Sequence, residues 1–200
     1  YAMRYGEPRI AKVLNELEHP IVLPLYPQYS ESATASVGDV LPPGVPMLEH
    51  FHDHPAYISA LAANVRRHWS RHGRGGKLVT SFHGLPKRGS ERYERECRAT
   101  ARLLAETLKA EYVVTFQSRF GYAEWLPPYT EPTLIDLAKR GVQRVDVVCP
   151  GFVSDCLETL EEIGITARRA FLAAGGRDFH LVSCLNDSAE WIEALAALAS

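Results

Sequence analysis

From residue 77 onward, short runs of β-formers alternate with longer segments whose apolar residues recur every three or four positions. Parallel strands need a long crossover between them, usually a helix, so this alternation points to a parallel α/β architecture. Strands are expected near 77–82, 112–117, 144–149 and 179–183, with two more near 20–25 and 46–50. Between them, Tyr57, Leu61, Val65 and Trp69 mark one face of a helix over 55–72, and Cys97, Ala101, Leu104 and Leu108 mark another over 91–109. Ser90 is the expected N-cap of the second helix, Thr130 opens a third with Glu131 and Pro132 behind it, and 188–199 reads as a terminal helix.

The 200 residues, 46% hydrophobic and 23% charged, suffice for one large core or two small ones. Gly73-Arg74-Gly75-Gly76 is the one linker signal, dividing the chain into 1–74, 75–178 and a closing strand and helix over 179–200 that packs back on the first part. A formal charge of −2 argues against a general nucleic-acid binder. No stretch approaches a membrane span, so membrane contact is expected to be peripheral at most. The first residues lack a signal-peptide pattern, which makes the cytoplasm the expected compartment, although Met3 is not the first residue. Cys97, Cys149, Cys156 and Cys184 include no pair at zinc-knuckle or redox spacing and read as buried free thiols. Oligomeric state is left open.

Several motifs carry charge without clear chemistry. Arg66, Arg67, Arg71, Arg74 and Lys77 form a basic run with His68 and His72, which suits the negative end of a terminating helix better than a phosphate site. In Phe51-His52-Asp53-His54-Pro55 the two imidazoles would share a face with Asp53 turned away, and Asp53 or His54 is expected to cap the helix that Pro55 begins. No glycine-rich loop follows the first strand, as a dinucleotide or P-loop binder would want.

Two residues carry more. His83 follows the strand Lys77-Leu78-Val79-Thr80 at the strand-end position where open α/β sheets bind ligands, with Gly84 and Pro86 shaping the turn. An imidazole there can accept a proton or bind a cation near neutral pH. Glu158 lies after the equivalent run 145–149, on a helix where Asp155, Glu158 and Glu162 recur at three- and four-residue intervals. Such a ridge ending in a cleft could conduct a hard cation or protons.

Leu25-Tyr26-Pro27-Gln28-Tyr29-Ser30, Ser81-Phe82-His83-Gly84-Leu85-Pro86, Thr115-Phe116-Gln117-Ser118-Arg119-Phe120-Gly121, Trp125-Leu126-Pro127-Pro128-Tyr129-Thr130 and Cys149-Pro150-Gly151-Phe152 together resemble the proteobacterial ferrochelatases. Asp155-Cys156-Leu157-Glu158-Thr159-Leu160-Glu161-Glu162 extends the likeness, and the blocks occur in the family's order from Met3 to the last helix. Nothing matches the family's front segment, so one wall of its porphyrin cleft is expected to lie outside these residues.

The resemblance implies three-layer, parallel-sheet, chelatase-like halves of the flavodoxin/Rossmann kind. It also implies a lyase that inserts ferrous iron into protoporphyrin IX in the last step of haem biosynthesis, or else a shortened module that binds haem, porphyrin or metal without inserting it. His83 would be the active-site histidine and Glu158 its acidic partner, both as catalytic and as iron-binding residues. Asp155 and Glu162 would continue an acidic ridge, and Tyr26, Tyr93 and Arg119 would contact substrate. Many relatives have His where this chain has Cys156, so no ligand role transfers there. Iron would be substrate rather than cofactor, and no iron–sulfur cluster is expected, because cluster-bearing members carry extra cysteines near the C-terminus.

Overall fold

The computed structural model describes residues 1–200. Strands β1 (Lys77–His83), β2 (Tyr112–Gln117), β3 (Arg144–Val148) and β4 (Asp178–Leu181) form one parallel sheet in the order β2-β1-β3-β4. The helices are α1 (Ile10–Leu14), α2 (Ser36–Gly38), α3 (Pro55–His72), α4 (Glu91–Leu108), α5 (Thr130–Lys139), α6 (Arg168–Ala173) and α7 (Ala189–Leu198). Two π-helices, Glu31–Ala35 and Glu158–Ala167, run into α2 and α6 respectively.

Strand alternation explains the three layers. In β1, Leu78 joins a core with Tyr57, Leu61 and Val65 of α3, Leu104 and Leu108 of α4, and Trp191 of α7. Its neighbour Val79 points the other way, into a core with Leu134 of α5, Ile163 of the second π-helix and Phe171 of α6. Both faces are therefore covered, as an all-parallel sheet requires.

The early strands do not form as expected. Only Val22 and Met47 meet, in an isolated parallel bridge. Pro20, Pro24 and Pro27 in one segment, and Pro42, Pro43 and Pro46 in the other, remove the N–H donors that a longer ladder would use.

Capping also differs. His54 does cap α3, its Nδ1 accepting the Ala56 N–H at 3.3 Å. Ser90 makes no side-chain cap; instead a Glu91 carboxylate oxygen accepts the Gly89 N–H. Tyr129 occupies the cap position of α5, while Thr130 lies inside the helix with its hydroxyl bonded to those of Ser81 and Thr115. Thr130 thus fastens α5 to the sheet.

Nor is 73–76 a free linker. Arg144 donates to the carbonyls of His72 and Gly73, and the Gly75 N–H donates to Asp146, which docks the segment on β3. Most of the basic run is paired within the fold: Arg67 makes a two-pronged bond to Glu190 on α7, Arg66 and Arg74 donate to the Thr107 and Lys109 carbonyls, and Lys77 meets Glu111. Arg66 and Arg67 thereby join α3 to α4 and α7.

Candidate active site

His83 ends β1, opposite Gln117 at the end of β2. Its Nδ1 lies 2.7 Å from the Gly84 carbonyl oxygen. A carbonyl can only accept, so Nδ1 carries a proton, and in the neutral ring the lone pair is on Nε2, which no protein group bonds. The Tyr93 hydroxyl donates to the His83 carbonyl at 2.8 Å, fixing the backbone under the ring.

Gly84 is demanded by packing. A Cβ there would lie 2.5 Å from the Gln117 carbonyl oxygen and 3.2 Å from the Trp125 ring, in a turn where the Gly84 N–H already bonds that carbonyl. Gly84→Ala is expected to cost about 1–3 kcal/mol and to displace the His83 ring. A urea midpoint and m-value equal to the parent's would show that the turn has room to spare.

His83 faces a cavity of about 640 Å³. Its wall is largely apolar, with Leu25, Tyr26, Leu85, Tyr93, Phe152 and Val153, and its polar groups include Gln28, Ser30 and Cys156. Of the two tyrosines on this wall, Tyr26 is exposed and Tyr93 is buried. Two bonds brace the lining segments: the Tyr57 hydroxyl donates to the carbonyl of Pro150, the residue before Gly151, and buried Gln28 donates to Thr100. Burial pushes the Cys156 thiol up, so it offers no thiolate at neutral pH.

Glu158 starts a π-helix rather than lying within an α-helix, and does not itself line this cavity. Gln117 links the two positions. Its side-chain amide donates to the Glu158 carbonyl at 2.8 Å, while its own oxygen accepts from the Ser81 hydroxyl. The start of the π-helix is thereby held against the strand end that carries His83. No protein group bonds the Glu158 carboxylate to another element, in contrast to its neighbours.

Glu162 accepts both the N–H and the hydroxyl of Ser118, each at 2.6 Å, and Ser118 holds a left-handed φ of 61°. Asp155 accepts from Asn186, from the Cys184 N–H and from Thr159. Burial alone would push the Asp155 carboxyl up, but these bonds outweigh it and hold the group below the usual aspartate range. The structure thus employs both flanking acids in fastening the π-helix.

Arg119 lies outside the cavity wall. Its guanidinium stacks on Tyr129, 4.3 Å from the ring centre, and borders a separate pocket of about 210 Å³ with Ser118 and Glu162. Gln117, Gln28 and Phe152 are site residues that spacing alone did not single out. The only sequence signal for them was their place in strand-end blocks.

A parallel sheet with a histidine at one strand end and an acid-led π-helix after another places the chain among chelatase-like proteins. Solved structures agree on the fold. SirB from Bacillus subtilis with Fe3+ superposes with a TM-score of 0.65 at 17% identity, covering 98% of this chain and 79% of that one. A multi-domain protein with structural similarity to chelatases, DR2241 from Deinococcus radiodurans, gives 0.60 at 16% identity, covering 97% of this chain and 44% of that one. The ferrochelatase family model matches residues 1–200. Ferrochelatases of Polaromonas sp. and Herminiimonas arsenicoxydans are 56% and 54% identical over 98% and 100% of this chain. The chain belongs to the ferrochelatase family. It spans about 60% of the length of those relatives, 59% and 60% respectively.

Proposed function

We propose that this chain carries the metallation site of a ferrochelatase, a lyase that inserts ferrous iron into protoporphyrin IX and yields protohaem. The observation that carries the reading is the free Nε2 lone pair of His83 on the wall of a deep apolar cavity. Insertion exchanges two pyrrole protons for one Fe(II), so the site needs a proton acceptor beside an apolar slot for the macrocycle. His83 supplies the first, as base or as transient iron ligand, and Tyr26, Tyr93, Leu85 and Phe152 supply the second.

Glu158 is the second proposed metal-handling residue. An imidazole with a carboxylate suits Fe(II) that must keep positions open for substrate nitrogens. Asp155 and Glu162 act by holding its helix in place, and Arg119 is assigned to Tyr129 rather than to a substrate propionate. A planar porphyrin hides its nitrogen lone pairs from the incoming ion, so binding a distorted ring would favour the transition state. Iron is substrate here, and no further cofactor enters the proposal.

No helix is long and apolar enough to cross a membrane. The four cysteines are free, which suits a reducing compartment, and we place the protein in the cytoplasm.

A second reading, a module that binds porphyrin, haem or metal without insertion, draws on the place of Glu158, which does not line the cavity that His83 faces. Anaerobic incubation with Fe(II) and protoporphyrin separates the two. Growth of protohaem absorbance above the protein-free rate is the expected result. A shifted porphyrin or haem spectrum without new haem selects the module.

A further inference from the structure

Away from the cavity wall, His50, His52 and Glu96 bring two imidazoles and a carboxylate together. The two Nδ1 atoms are 3.1 Å apart, and the His52 Nδ1 lies 3.6 Å from Glu96 Oε2. All three donor atoms fall within 4.8 Å of one another. Four-coordinate zinc, with bonds of about 2.0–2.2 Å, has donor atoms about 3.3–3.6 Å apart, so the two short edges need shifts of only a few tenths of an ångström.

We propose that His50, His52 and Glu96 form a second metal site, separate from His83 and Glu158, for a divalent first-row transition ion such as Zn(II), Co(II) or Fe(II). Two nitrogens and one carboxylate oxygen favour these ions over Mg(II) or Ca(II), which prefer all-oxygen shells. His52 and Glu96 are only 9% and 7% exposed, whereas His50 is half-buried, leaving an entry side and room for a water ligand.

The surroundings suit the role. On the far side of the His52 ring, Asp53 Oδ2 lies 3.8 Å from Nε2, at ion-pair rather than hydrogen-bonding distance. Arg92 takes the other Glu96 oxygen at 2.8 Å, and the Tyr29 N–H donates to Oε2 at 2.6 Å, leaving that oxygen one lone pair. Without a metal, one Nδ1 must donate its proton to the other; a metal takes the place of that proton.

Backbone geometry supplies the convergence. His52 is a central residue of the turn that the His54 N–H closes on the Phe51 carbonyl, which brings its ring against that of His50, and Glu96 meets the pair from α4. An ion there would cross-link the two segments. It would also brace Tyr29, whose neighbours Gln28 and Ser30 line the cavity. The inference does not depend on the chemistry assigned to His83.

The test uses the chain carrying His83→Ala and Glu158→Gln, which removes the two residues proposed to handle iron. Anaerobic titration with Co(II) should develop visible ligand-field bands that saturate at a single equivalent and are displaced by Zn(II). Adding His50→Ala, a half-buried position whose truncation spares the core, should weaken binding by about 10- to 100-fold or more. Unchanged affinity in the His50→Ala chain, or no bands in the parent double variant, would overturn the site and leave a hydrogen-bonded histidine pair.

Discussion

Replacing His83 with alanine, in the protein at its relatives' full length, is expected to slow iron insertion by about 10²–10⁴-fold while porphyrin affinity changes little. The asymmetry follows from the ring's surroundings. Its Nδ1–H is committed to the Gly84 carbonyl, so only Nε2 faces the cavity with a lone pair. Binding area comes instead from Tyr26, Leu85, Tyr93 and Phe152, which the substitution leaves in place. Among the other polar groups on that wall, the Cys156 thiol is raised by burial, and Gln28 and Ser30 are not bases at neutral pH. Because His83 contributes one hydrogen bond to its own turn, folding should change by no more than about 1 kcal/mol. Stopped assays of haem formation, alongside fluorescence titration of protoporphyrin, read the two effects apart. Insertion at the parent rate would remove His83 as both base and ligand.

The sheet was legible because its signals were strong and local. Runs at 77–82 and 112–117 end at a glycine turn or a strand-end polar block, and the observed strands, Lys77–His83 and Tyr112–Gln117, differ by a residue at most. Helix α3 matches its expected bounds because Pro55 fixes its start and Gly73, at a φ of 76°, ends it. His83 was legible for the same reason, since its position follows from where β1 stops.

Side-chain partnerships were not legible. Asp155, Glu158 and Glu162 look alike along one ridge, yet two of them bond distant segments, Asn186 and Ser118, that periodicity cannot see. The π-helix escaped because its wider turn leaves no composition signature, and it shifts which residues share a face. The histidines were misjudged through proximity in sequence. His54 neighbours His52 along the chain, but His50 is the residue that meets it, and Glu96 arrives from a helix more than forty residues away. The apolar runs near 20–25 and 46–50 read as strands, but their prolines leave too few N–H donors for a ladder.

Asp146 shows how a single misfit residue in an apolar run marks an anchor. It stands mid-strand in β3 with its side chain 1% exposed, where Val145, Val147 and Val148 are what the pattern wants. The Trp69 indole N–H and the Gly75 N–H each donate to its carboxylate at 2.7 Å, and Arg144 approaches at 3.4 Å. It therefore joins the end of α3, the glycine turn and the sheet at one point. Asp146→Ala would leave two donors and a cation without their acceptor, and is expected to destabilise the fold by about 3–5 kcal/mol. Asp146→Asn keeps the shape but can accept through only one oxygen, so it should fall between that variant and the parent. Gly75→Ala probes the same point from the other side, since a Cβ there would lie 2.5 Å from the Asp146 carboxylate. Urea unfolding of the three variants should rank them with Asp146→Ala lowest. A loss below about 1 kcal/mol for Asp146→Ala would mean that the glycine turn holds without this anchor, through the bonds that Arg144 makes to the His72 and Gly73 carbonyls.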